Sequence, residues 1–305
     1  MSDGPSVHGG ALRHAPLRAP HRMVLGLSLL PDESAWLELD ADWARDLREK
    51  HRLLAERRAQ VFGECPGSGP AQAEVRRAVV AALRTHHPGR VTGDDHTLDV
   101  PELGETLRPA EAASQLELAS RLVQEDLCVM ERDGAGVWRL TAASVCFPTR
   151  WDLPSKIGQP LTAIHDPVPG YRAALGAPAE RFFDGLRPGR IAVRANWSLV
   201  DSPALFQPLH GNRAGGAVCR ENVAERVWLR AERQTLRRFP DTGAILFTIR
   251  IHRDRLGALA TEPERARLLA DDLRTLPEDL ARYKSIPGLR EPVLAFLDEV
   301  ARTAR

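Results

Sequence analysis

The stretch "RVWLRAERQTLRRFPDTGAILFTIRIHR", residues 226–253, most constrains the fold. Two long β-patterned runs flank "PDTG", in which proline presets φ and glycine completes the turn, so the segment reads as an antiparallel hairpin. A third alternating run, "RIAVRANWSLV" (190–200), precedes it. Further upstream, "DLCVMERDGAGVWRLTAASVCFP" (126–148) alternates around Asp133-Gly134 and predicts another hairpin with an extension. Between these blocks the pattern predicts two helices, 154–166 and 170–186. The middle of the chain is thus β-β, helices, β-β-β.

Five antiparallel strands with a helical insertion after the second give an α+β, PAS-like order. Helical patterns flank it on both sides: 40–62, 71–87 and 109–124 before, and 262–303 after, with loop-like sequence at 88–108. The expected organisation is a disordered leader (1–22), an N-terminal helical region (23–125), a PAS-like core (126–255) and a C-terminal helical region (256–305). With 43% hydrophobic residues the chain can bury a sizeable core. Its 42 basic and 41 acidic residues leave no charge footprint for nucleic acid or an anionic membrane. No apolar run approaches the roughly 20 residues of a membrane helix, and no signal-peptide core is present, so a cytoplasmic protein is expected.

Within the insertion, "AIHDPVPGY" (163–171) places His165 on a stripe with Ile157, Leu161 and Ile164, immediately before Pro167 and Pro169 stop the helix. A histidine aimed inward at a helix end suits a ligand, and equally a packed core histidine. Alternation puts Ile191, Val193, Ala195, Trp197 and Leu199 on one side of the third strand, with Arg190, Arg194, Asn196 and Ser198 on the other. The apolar side of the fifth strand is Ile245, Phe247, Ile249 and Ile251. In the fourth strand Val227, Leu229 and Ala231 lead into Arg233, Thr235 and Arg237. An inward face that turns cationic needs an anion, because an unpaired buried charge is costly. Haem propionates, a substrate carboxylate or neighbours such as Glu232 would meet it; alternatively the strand twists out and the arginines are solvated.

Other chemistries lack their motifs. Cys65, Cys128, Cys146 and Cys219 are widely separated and form no CxxC pair, which gives no support to a zinc ribbon or an iron–sulfur cluster. Cys146 lacks the glycine-rich setting of a haem thiolate. His86, His87 and His96 have no spacing that suggests a two-histidine, one-carboxylate iron site. GxSxG, GxGxxG and P-loop patterns are missing. "HGNRAGG" (210–216) reads as a flexible connection or a lid.

The runs "VQEDLCVME", "VCFPTRWDLPSKIGQPLTAIHDPVPGY", "RANWSL", "ALFQP" and "RAERQTLRRFPDTGAILFTIR" resemble haem-dependent oxidative N-demethylases, the family that includes the large subunit of dimethylamine monooxygenase. The similarity runs from about Arg22 to beyond Arg250. It implies a haem b in the PAS-like fold, with His165 as axial iron ligand and Trp197 in the pocket wall. Arg233, Arg230 and Arg237 would anchor propionates or line the distal side, and Glu232 and Arg233 would be the distal polar groups. Dioxygen would be co-substrate, and a small or secondary amine would be oxidised with release of formaldehyde. The chain shows no flavin, nicotinamide or iron–sulfur site, so a separate reductase is expected. A haem sensor without turnover, an oxidase of another nitrogen-containing substrate and a haem-free assembly subunit are the competing expectations.

Overall fold

The computed structural model describes residues 10–18, 20–208 and 217–303. The strands, in chain order, are β1 (Ser28–Leu29), β2 (Phe62–Glu64), β3 (Thr92–Gly93), β4 (Leu98–Val100), β5 (Glu105–Leu107), β6 (Asp126–Arg132), β7 (Trp138–Ser144), β8 (Ile191–Val200), β9 (Trp228–Arg238) and β10 (Ile245–Arg255). Seven form one antiparallel sheet in the order β1-β8-β9-β10-β6-β7-β2. The five long strands are those expected from alternation. Short edge strands, β1 on β8 and β2 on β7, extend that sheet to seven. The segment expected to be a loop at 88–108 instead carries a small sheet, β3-β4-β5.

Both faces of the large sheet are covered. On one face, Leu127, Val129 and Leu246 pack with the N-terminal helices Trp43–Glu56 and Gly69–His86, and Trp197, Leu199 and Leu229 pack with the C-terminal helices Pro263–Thr275 and Pro287–Arg302. On the other, Cys128, Met130, Leu236 and Ile245 meet Leu161, Ile164, Ala179 and Phe183 of the insertion. The apolar clusters therefore cross the expected boundaries at 125 and 255.

Three expectations about local structure are corrected. Ordered chain begins before Met23: a short helix, Gly10–His14, buries Ala11 and Leu12, with Leu12 N–H donating to Asp254 Oδ2 at 2.9 Å. The helix expected from residue 109 starts only at Gln115, where the Ser114 hydroxyl caps the Glu117 N–H. The helix expected over 154–166 is a single turn, Leu161–Ile164, because Gly158 adopts φ +78° and Pro160 is extended. The second insertion helix contains a π-helical turn, Arg172–Gly176, before Ala177–Gly185. Among the described residues, no helix is long and apolar enough to cross a membrane.

Candidate functional site

His165 follows the last helical residue of that single turn. Its Nδ1 lies 2.9 Å from the Leu161 carbonyl oxygen. A carbonyl only accepts, so Nδ1 carries the proton and Nε2 keeps its lone pair. No hydrogen bond among the described residues engages Nε2. Burial holds the imidazole below its ordinary pKa, with the nearby charges of Arg194 and Lys156 acting the same way. The Tyr171 ring stacks on it, centroids 4.3 Å apart and planes 10° from parallel. Burial raises the Tyr171 phenol to about 12, so the stacking partner stays neutral. The ring is thus fixed in tautomer and in plane.

A cavity of about 610 Å³ lies between this helix turn and the sheet. That volume falls well inside the roughly 300–1,000 Å³ of ligand sites. Cys128, Met130, Leu236 and Phe247 form an apolar floor, and the segment His21–Leu27 closes one wall. Burial pushes the Cys128 thiol far up, which leaves it an inert thiol in the cavity floor. The polar groups are concentrated on β8 and β9, where Arg194 faces Gln234 and Asn196 faces Glu232. Arg194 Nε, Ser198 Oγ and Gln234 Oε1 are buried with no hydrogen-bond partner among the described residues. Arg150, at φ +54°, enters from the segment after β7. Burial lowers the pKa of both guanidiniums, Glu232 opposes that effect, and neither forms an ion pair among the described residues.

Lys284 forms part of the same wall. Its ammonium donates to Asn196 Oδ1 at 3.1 Å and to the Trp197 carbonyl, and sits 4.9 Å from the Trp197 ring centre. Burial, aided by Arg150, brings its pKa down to about 8. Between pH 8 and 10.5 the unfolded chain keeps this proton while the folded chain releases it, so stability rises with pH across that window. The gain is on the order of 2–3 kcal/mol. Urea midpoints at pH 8 and 10 should show this rise against a Lys284→Met variant; equal slopes in the two proteins would refute it.

The sequence-predicted residues separate. His165, Trp197 and Glu232 line the cavity. Trp197 is held by its indole N–H, which donates to Asp272 Oδ2 at 3.1 Å. Arg230 is fully buried, and it donates to Thr149 Oγ1 and to the carbonyls of Phe147, Pro148, Ala204 and Leu205 at 2.7–3.3 Å. Its guanidinium is used up on main chain. Arg233 and Arg237 lie on the opposite face, away from the cavity. Arg233 donates to the Ala35 and Trp36 carbonyls and sits 3.3 Å from Glu38; Arg237 pairs with Glu33 and covers the Trp36 ring. The cationic run on the fourth strand is therefore met by the N-terminal segment. Arg150, Arg194 and Lys284 were not singled out from sequence. The signal for Arg194 was present in the polar side of β8, which alternation assigned away from the apolar face. The segment 210–216 lies outside the described residues.

A family model described as haem-dependent oxidative N-demethylase, alpha subunit-like, matches residues 28–294. The chain belongs to that family. The match makes it an oxidoreductase at the coarse level and names haem as the group its members depend on. The cavity residues fit that group. His165 offers an unprotonated Nε2 on a ring whose other nitrogen is hydrogen-bonded, the arrangement that orients metal-binding imidazoles. Arg150 and Arg194 offer two guanidiniums that share the field of one carboxylate, Glu232, and form no ion pair among the described residues, suited to a dianionic ligand. Cys128, Met130 and Phe247 supply the apolar surface a macrocycle needs.

Proposed function

We propose that the chain is a haem b-dependent monooxygenase that removes a methyl group oxidatively from a small or secondary amine, using dioxygen and electrons from a separate reductase. The observation that carries this reading is His165, its Nδ1 held by the Leu161 carbonyl and its Nε2 without a hydrogen bond among the described residues, on the wall of a cavity that Arg150 and Arg194 also line. When bound, haem supplies the oxygen activation and the amine oxidation, the second product being formaldehyde. The protein residues do the rest. His165 Nε2 holds the iron, and Tyr171 keeps the imidazole plane fixed. Arg150 and Arg194 meet the propionates. Glu232, which accepts from Gln234 Nε2 at 3.0 Å, holds the substrate ammonium on its carboxylate. Met130 and Phe247 exclude water. The PAS-like reading is supported by the helical insertion after the second long strand and by the first and fifth long strands, β6 and β10, pairing at the centre of the sheet.

Two measurements follow. Haem-loaded protein given a reductant, dioxygen and a series of N-methylamines should release one formaldehyde per amine demethylated. Failure with every amine, at stoichiometric haem, removes the enzyme reading and favours a gas or redox sensor. Replacing Arg194 by leucine removes a charge-assisted contact, so the haemin dissociation constant should rise by roughly 10- to 100-fold. An unchanged titration curve would take Arg194 out of the site.

A further inference from the structure

On the sheet face opposite the cavity, three side chains from distant parts of the chain converge. His14 ends the first short helix, Glu38 lies in the connection that follows β1, and His252 is on β10. His14 Nε2 is 3.0 Å and His252 Nε2 2.9 Å from the same oxygen, Glu38 Oε2. One ligand atom from each residue lies within 4.8 Å of the other two. Two imidazole nitrogens and one carboxylate oxygen form a donor set that borderline divalent metals take with open positions for water. From the geometry we infer that His14, Glu38 and His252 bind one divalent transition-metal ion, which fastens the N-terminal segment to the sheet.

The details of the contacts favour a cation over a purely hydrogen-bonded cluster. Arg13 Nη2 lies 3.0 Å from His14 Nε2. A guanidinium only donates and a carboxylate only accepts, and the same nitrogen stands 3.0 Å from Glu38 Oε2, so no protonation state of the imidazole satisfies both contacts. A cation held between Nε2 and Oε2 removes that conflict once Arg13 is displaced. Tetrahedral zinc with bonds near 2.0–2.1 Å places its ligand atoms roughly 3.3 Å apart, so small side-chain movements suffice. The other carboxylate oxygen, Glu38 Oε1, is held by Arg233 Nε at 3.3 Å, which turns Oε2 toward the imidazoles. Arg13 is 67% exposed and can swing into water to open the remaining positions. Gly10 lies against the far side of the His252 ring, where a Cβ would come within 2.7 Å of Nδ1. The helix therefore seats on this imidazole only because residue 10 has no side chain.

The location gives the ion a consequence at the cavity. Pro16, Arg18 and the stretch His21–Leu27 line that space, and they begin two residues after His14. A metal at His14 pins the start of this wall, and His21 Nδ1, 2.7 Å from Asp272 Oδ1, fixes it further along.

The test is calorimetric titration of chelator-treated chain with Zn²⁺, together with Co²⁺ titration followed by visible d–d absorption. The experiment is run on the His165→Ala variant so that the cavity imidazole contributes nothing. One Zn²⁺ per chain is expected. Affinity should fall by more than the roughly 10- to 100-fold that loss of an outer partner costs when His14→Ala, Glu38→Gln or His252→Ala is added. His14 lies at the end of a short helix, so His14→Ala keeps the test decisive even if a β10 variant fails to fold. Bound Zn²⁺ should also slow proteolysis of residues 10–27. No Zn²⁺ uptake, or uptake unchanged by His14→Ala, would overturn the site and leave a hydrogen-bonded clasp. Neither outcome depends on haem or amine turnover.

Discussion

Replacing His165 by alanine should abolish stoichiometric haem binding, read as loss of the Soret band after haemin addition and gel filtration. Among the described residues the imidazole makes one hydrogen bond, to Leu161, and one stacking contact, with Tyr171. Its removal therefore costs the fold little and costs an iron ligand everything. Wild-type protein should show a haem-to-chain ratio near one, with the iron spectrum of histidine ligation. A His165→Gly variant supplemented with free imidazole should recover that spectrum, because the ligand is restored without its tether. Recovery distinguishes a lost ligand from a collapsed cavity. A full Soret band in His165→Ala would show that another group carries the iron, and would remove the foundation of the proposed function.

The second large effect belongs to Arg230, and it is on stability. Its guanidinium satisfies four main-chain carbonyls and the Thr149 hydroxyl at full burial. Replacing Arg230 by alanine strands those acceptors away from water and opens a cavity beside them. Each buried acceptor left unpaired costs about 1–3 kcal/mol before relaxation. The loss should reach roughly 3–5 kcal/mol, a large part of a domain's usual 5–15 kcal/mol. Urea unfolding measures it; a loss below about 1 kcal/mol would show that water reaches these carbonyls. Lysine should recover little, since an ammonium cannot reproduce the planar fork of donors. The segment Phe147–Thr149, which leads directly into Arg150, is anchored by these same bonds, so haem affinity should fall with stability even though Arg230 is proposed to touch no ligand.

The strands were legible because alternation and turn chemistry are local. "PDTG" between two long alternating runs specifies β9 and β10 almost to the residue. What each face meets is not local. Trp197 and Phe247 were both read as inward side chains on one face, yet they belong to different apolar clusters: Phe247 packs with the insertion and Trp197 with the C-terminal helices, although both reach the cavity wall. A sheet covered on both sides has two interiors, and hydropathy cannot say which one holds the ligand space. The same ambiguity governs β9. Arg233 and Arg237 stood out as charges continuing an apolar side, whereas the alternate set, Glu232 and Gln234, belongs to the cavity. Arg150 had no periodic signal at all; it is placed by a left-handed backbone and by the bonds of Arg230 to the neighbouring residues. His165 was singled out for a local reason, the prolines after it, and its helix is one turn long.

The π-helical turn at Arg172–Gly176 sets the rotational phase of the chain between Tyr171 and the helix Ala177–Gly185. A π turn holds one more residue than an α turn over nearly the same rise. One residue is about 100° of helix rotation. Segment length here acts as an angular setting: with the downstream helix anchored by Ala179 and Phe183, one residue fewer would swing Tyr171 away from the His165 ring. A chain of this family can therefore keep every residue that surrounds the imidazole and still lose its support through a single deletion several positions away.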